Sequence, residues 1–157
     1  MSDDVLQYIP ALRVYARVLC KSVPDADDLV QETLLRAIEH ADQYRSGTNM
    51  RAWLFTIMRN RFFTNCHKSA RERTGAADCV ALQVSVEPDQ EWHMRAVEVG
   101  EVLQQLPPYY REALILVGSM GESYIDAARI LDCDIGTIKS RVSRARGLLK
   151  EAMGEAA

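Results

Sequence analysis

The stretch Ser123-Tyr-Ile-Asp-Ala-Ala-Arg-Ile-Leu-Asp-Cys-Asp-Ile-Gly-Thr-Ile-Lys-Ser-Arg-Val-Ser-Arg-Ala-Arg146 decides the reading of the C-terminal half of the chain. Ser123-Tyr-Ile-Asp126 has the form of a capping box with Asp in the reciprocal position. The short helix it opens can turn Ile125, Ala128 and Leu131 inward. Asp132-Cys133-Asp134 then makes a turn, and Asp134 is placed to cap the helix that follows. This second helix, Ile135–Lys150, sets Ile135, Ile138, Val142, Ala145 and Leu149 on one face. Its other faces carry Thr137, Lys139, Ser140, Arg141, Ser143, Arg144 and Arg146. Between Gly136 and Lys150 there are five bases and no acid. Ala127 and Ala128 are small enough to let two helices pack closely. The pattern is a helix-turn-helix whose second helix fits the DNA major groove, with short polar side chains near base edges and Arg and Lys near phosphates. An amphipathic helix closing a bundle would explain the basic face alone. The short turn, the alanine pair and the acid-free helix occur together, which favours DNA.

Upstream, helical periodicity runs from about Glu91 through Val99, Val102, Leu103 and Leu106. Pro107-Pro108 breaks it, and proline in the first turn starts another helix, Pro108–Met120. Between Thr74 and Gln90 the pattern lapses, and Asp78–Glu91 holds no Lys or Arg, so an acidic linker is expected there. The N-terminal part reads as three helices. Val5–Leu19 presents Leu12, Tyr15, Ala16 and Leu19 on one side. Pro24 and Asp25 open the second, with Asp25 as cap and Leu29, Val30, Thr33, Leu34, Ala37, Ile38 and Ala41 as its apolar stripe. Ser46-Gly47-Thr48-Asn49 is a turn with capping chemistry. It leads into the third helix, Met50 to about Arg73, which carries Trp53, Leu54, Ile57, Met58 and Phe62. No run alternates with period two. The expected fold is therefore all-α: two small helical domains, residues 1–73 and 91–157, joined by a flexible acidic linker over 74–90.

Across 157 residues the net charge is −3, but its distribution is uneven. Asp25–Asp42 holds six acids against Arg36 alone, whereas Arg51–Arg73 holds six bases against Glu72 alone. Such segregation points to separate surfaces for a protein and for phosphate, beyond the solvated faces that explain most charge runs. No apolar run nears the ~20 residues that cross a bilayer, so no membrane insertion is expected. The acidic start Met1-Ser2-Asp3-Asp4-Val5 lacks the order of a secretory signal, and a cytoplasmic location follows as the expectation. Cys20, Cys66, Cys79 and Cys133 are too scattered for a zinc site, and His40, His67 and His93 add no H-x3-5-H pair. Neither metal nor cofactor is expected. With no nucleophile–base pair or phosphate loop, neither an enzyme nor a small-molecule substrate is expected either.

Four segments in order resemble the extracytoplasmic-function sigma factors, group 4 of the sigma-70 family. Ser123–Arg146 looks like their promoter-reading module, and Leu106-Pro-Pro-Tyr-Tyr-Arg-Glu-Ala113 like that module's opening. Asp25-Ala-Asp-Asp-Leu-Val-Gln-Glu-Thr-Leu-Leu-Arg-Ala37 resembles the helix that docks on core RNA polymerase. Asn49-Met-Arg-Ala-Trp-Leu-Phe-Thr-Ile-Met-Arg-Asn60 resembles the segment that meets the −10 element. The wording around Thr48–Arg59 is similar to the general-stress-response group of alphaproteobacteria.

The resemblance implies that residues 1–73 are region 2-like and residues 91–157 region 4-like. It implies that Asp27, Asp28, Gln31, Glu32 and Arg36 meet the clamp helices of the large polymerase subunit. Arg59, Asn60, Arg61, Phe63, Lys68 and Arg71 would meet −10 DNA, with a base extruded at Asn60 or just beyond. One of Phe62 and Phe63 can join the core while the other lies nearer the melted strand. Trp53, with apolar neighbours at helical spacing, is expected to pack in the core rather than stack on DNA. Thr137, Lys139, Ser140, Arg141, Ser143, Arg144 and Arg146 would meet the −35 element. The linker would thread the RNA channel, although a plain tether fits its composition equally well. Core polymerase, promoter DNA and an anti-sigma factor are the implied partners.

Two departures stand out. Lys139 occupies a position where many relatives differ, and Gly118-Ser-Met-Gly121 replaces a loop that is often acidic or apolar. Competing readings are a sigma-like decoy that sequesters an anti-sigma protein and an ordinary helix-turn-helix repressor. An intact basic recognition helix argues against the first, and the polymerase-like N-terminal half against the second.

Overall fold

The computed structural model describes residues 2–20, 22–72, 101–103 and 105–154, with side chains in the N-terminal part from residue 4 to residue 68. The chain divides into two compact units, Met1–Ala81 and Leu82–Ala157. The regular elements described in both are helices, and no strand occurs among the described residues. The expected linker over 74–90 lies outside the described residues, as does the helix expected from Glu91 except for 101–103 and 105, which are helical, and Leu106, which is a bend.

The N-terminal unit contains α1 (Ser2–Leu6), α2 (Ile9–Leu19), α3 (Val23–Glu39), a tight single turn at Ala41–Gln43, and α4 (Met50–Glu72). The single helix expected over Val5–Leu19 is broken at Gln7–Tyr8. Pro10 is the physical reason: it has no N–H to give to Leu6, and its ring crowds that carbonyl. The same proline is well suited to the first turn of α2, where it sits. Helix α3 also starts differently from expectation. Ser22 is the cap, its Oγ accepting from the Asp25 N–H at 3.2 Å, and Asp25 lies within the first turn near the positive end of the helix dipole.

The core of this unit joins α2, α3 and α4. Leu12, Tyr15, Leu19, Leu54, Phe55 and Met58 are fully buried, and the Tyr15 and Phe55 rings stack at 4.9 Å. Thr33 is buried on α3 with its hydroxyl donating to the Leu29 carbonyl at 2.7 Å, which removes the cost of burying it. The expected stripe of α3 holds at Leu29, Val30, Thr33 and Ala37, but Ile38 is exposed. Burial pushes the Cys20 thiol up to about 12, with Asp25 and Glu32 adding to the effect, so it stays protonated and unreactive at neutral pH. The turn before α4 is built as its composition implied. Gly47 takes a φ of +86°, Tyr44 Oη donates to the Thr48 carbonyl at 2.7 Å, and Asn49 Oδ1 accepts from the Ala52 N–H at 3.2 Å.

The C-terminal unit contains α5 (Pro108–Leu114), which widens over Ile115–Ser119, then α6 (Tyr124–Leu131) and α7 (Ile135–Ala152). Expected as one regular helix to Met120, the α5 segment switches to i→i+5 hydrogen bonding, with Met120 N–H donating to the Ile115 carbonyl at 2.8 Å. Gly121, at φ +73°, ends it. Ser123 caps α6 by accepting from the Asp126 N–H at 3.1 Å, and its hydroxyl donates to the Asp126 carboxylate. Ala127, Ala128, Ile130 and Leu131 are buried, and so are Ile138, Val142 and Ala145 of α7. Ile125 is expected inside but is 54% exposed in the first turn of α6, whereas Ile130 is buried. Ile135 is also largely exposed and Leu149 half-buried. Asp132 closes α6 at φ +52°, the left-handed region that Asp tolerates better than most residues. Asp134 occupies the cap position of α7, but its side chain makes no capping bond.

Candidate nucleic-acid and polymerase interfaces

On α3 the side chains of Asp27, Asp28, Gln31 and Arg36 are exposed. Glu32 differs. It is half-buried between α3 and α4, where its Oε2 accepts from Arg61 Nε at 2.9 Å and from Asn65 Nδ2 at 3.0 Å. Burial works to raise its carboxyl. The hydrogen bonds from Asn65 and Arg61, with the charges of Arg61 and Arg36, outweigh burial and hold it below its ordinary value.

On α4 the expected DNA-facing residues fall into separate environments. Asn60 and Lys68 are exposed, and the Arg59 guanidinium lies over the Phe63 ring at 4.6 Å. Phe62 is buried and meets Phe63 edge-on at 5.4 Å, so Phe62 belongs to the core while Phe63 is the ring nearer the surface. Arg71 lies on α4, with its side chain outside the described residues. Trp53 is half-buried against Tyr44 at 5.1 Å, less deep than the core position expected for it. With Arg36, His40, Ile57, Asn60 and Arg61 it lines a cleft beside the Ala41–Gln43 turn. Asn65 escaped the sequence reading, and so did the inward role of Glu32. The signal available was the i, i+4 spacing of Arg61 and Asn65, which puts both on one face.

On α7 Lys139, Ser140, Ser143, Arg144 and Arg146 are exposed, and Thr137 and Arg141 are half-buried. Arg141 is held: its guanidinium lies over the Tyr109 ring at 5.0 Å, and its Nη1 approaches Cys133 Sγ at 3.9 Å. The Lys139 ammonium stands 5.9 Å from the Tyr124 ring. Pro107, Tyr109, Tyr110, Gly136, Thr137, Ser140 and Arg141 line a shallow groove along the start of the helix. Neither tyrosine was singled out as a site residue. The visible hint was Tyr109 in an otherwise short opening, and it is 64% exposed. Among the described residues no three His, Cys, Asp or Glu side chains gather as a metal site would need.

Comparison with known proteins accounts for both units. Residues 5–59 match the family model described as the Sigma2 domain of PhyR, and residues 96–149 match Sigma-70, region 4. The chain is 48% identical over 149 residues to the ECF RNA polymerase sigma factor EcfG of Rhodopseudomonas palustris, covering 95% of this chain and 82% of that protein. The chain belongs to the extracytoplasmic-function sigma factors. Such a factor binds core RNA polymerase and directs it to promoters, with region 4 reading the −35 element. Another relative of this sigma factor is the probable RNA polymerase sigma-C factor of Mycobacterium bovis, 37% identical over 81% of this chain and 69% of that protein. Among solved structures, the sigma factor RpoE of Bartonella quintana, crystallised with the anti-sigma factor NepR, superposes with a TM-score of 0.84. It is 41% identical and the match covers 99% of this chain and 97% of that one.

Proposed function

We propose a division of labour within this sigma factor, over residues 1–73, the linker 74–90 and residues 91–157. Asp27, Asp28, Gln31 and Arg36 on the exposed surface of α3, with Glu32 beside them, dock on the clamp helices of core polymerase. Acid-rich surface on the factor steers and registers a basic helical partner. Arg59, Asn60, Arg61, Phe63, Lys68 and Arg71 on α4 meet the −10 element and favour melting. Thr137, Lys139, Ser140, Arg141, Ser143, Arg144 and Arg146 on α7 read the −35 element. The observation that carries this reading is the exposed, acid-free surface of α7 within the region 4 match.

The factor acts by binding, with no catalytic step of its own, and works in the cytoplasm beside polymerase. Among the described residues no helix is long and apolar enough to cross a membrane. The resemblance of Thr48–Arg59 to the general-stress group supports a stress-response role. The RpoE–NepR complex of a similar chain supports control by an anti-sigma factor.

Reconstituted transcription with purified core polymerase and a genomic promoter library tests the proposal. Promoter-specific transcripts are expected. Their absence at every salt concentration, with an anti-sigma protein still bound, would instead support a sigma-like decoy, the reading that the Sigma2 match to PhyR keeps in view. Asp28→Lys should weaken polymerase docking far more than promoter affinity. Equal losses would remove α3 from the docking surface.

A further inference from the structure

Glu32 lies on the helix assigned to polymerase docking, yet both hydrogen bonds the structure gives its carboxylate reach across to α4. Arg61 and Asn65 are one turn apart on α4, so a single carboxylate oxygen restrains two consecutive turns of the helix assigned to −10 DNA. Arg61 also borders the cleft with Asn60 and Trp53, next to the place where an extruded base is expected. A long arginine free in solvent samples many rotamers, and ordering such a side chain on binding costs conformational entropy. An arginine already held by an acid at 2.9 Å has met that cost in the free protein.

We propose that Glu32 is a positioning residue for −10 recognition, holding Arg61 and Asn65 in the orientation from which α4 meets promoter DNA. The polymerase-docking helix and the −10 reader are thereby joined by one carboxylate. Docking on α3 and strand capture on α4 share a rigid element instead of acting as independent surfaces. This inference rests on the assignment of α4 to −10 DNA made above.

The experiment uses holoenzyme with core polymerase saturating, so that docking does not limit the signal, and follows opening of a promoter carrying 2-aminopurine within the −10 element. Glu32→Gln removes the charge and is expected to slow opening about tenfold, in line with loss of a charge-assisted hydrogen bond. Arg61→Gln should do the same, and the double variant should lose little more than either alone, since one interaction has been removed twice. Asn65→Ala, a milder change, is expected to cost about threefold and serves if Glu32→Gln melts below the assay temperature. Opening at the wild-type rate in Glu32→Gln, or additive losses in the double variant, overturns the proposal. Lys68→Ala separates the two readings. If it and Arg61→Gln both leave opening intact, α4 is not the −10 reader and the assignment itself fails. If they slow opening while Glu32→Gln does not, only the positioning role fails.

Discussion

The two helices proposed to face DNA each hold one arginine by a different means, although Arg59 of α4 also lies over a ring. On α4, Arg61 is fixed by an acid from another helix, the Glu32 carboxylate at 2.9 Å. On α7, Arg141 and Lys139 lie against tyrosine rings, and among the described residues no acid pairs with the bases of that helix. An ion pair orders a guanidinium but neutralises part of its field. A ring orders it and leaves the charge available to phosphate. Under the proposed assignments, the charge of Arg141 stays available to duplex DNA, whereas part of the Arg61 charge serves geometry.

The sharpest challenge to this contrast is removal of the α7 charges themselves. Arg144→Ala and Arg141→Ala should each weaken promoter binding about tenfold and reduce its salt dependence, with core affinity unchanged in a fluorescence titration. Equal loss of both affinities would make α7 a structural helix. Next in size, Ser123→Ala removes the cap of α6 and should destabilise the C-terminal unit by about 1 kcal/mol. Its calorimetric transition should move down by about 4–8 °C. The ring support is a smaller matter. Tyr109→Ala should weaken promoter binding about threefold, and Tyr109→Phe should restore it, because the ring and not the hydroxyl faces Arg141. A Phe variant as weak as the Ala variant would shift the role to the hydroxyl.

The smallest effect expected is a pH dependence of the contact between α3 and α4. Because the Glu32 carboxyl sits below its ordinary value of 4.5, its contribution to stability is complete above that value. It fades as pH falls through the lowered value. The Glu32→Gln variant should lose that acid limb in thermal melts between neutral and acid pH, while the α7 variants keep it.

How much of this was legible in the chain depended on distance along it. The inward stripe Ile138, Val142 and Ala145 and the cap at Ser123 are local patterns, and both stand in the structure. Ser22 and Asp25 show how closely spaced capping residues can be misassigned, since either side chain could accept from the first turn and only the entry of the backbone decides. Ile125 and Ile38 were assigned to apolar faces by spacing, yet both are exposed, because the width of a stripe depends on what packs against it. The bond between Glu32 and Arg61 joins positions 29 residues apart, and nothing in either local pattern announces it. The acid-free basic run of α7 from Gly136 to Lys150 was readable in the sequence. Its tyrosine supports were not, because they come from the neighbouring elements α5 and α6.

The wide turn at Ile115–Ser119 has a consequence for how the chain could tolerate change in length. A turn closed i→i+5 holds one residue more than an α-turn, so the extra residue is absorbed inside a helix and its flanks keep their facing. Deleting the exposed Gly118 would return the segment to α geometry, with Ile115 on one side and the Ser123 cap on the other still joined to the same neighbours. A deletion one turn earlier, in regular helix, would rotate everything beyond it by about 100°. On this geometry the wide turn is an expansion joint: loss of a residue there is expected to leave the recognition helix facing its core.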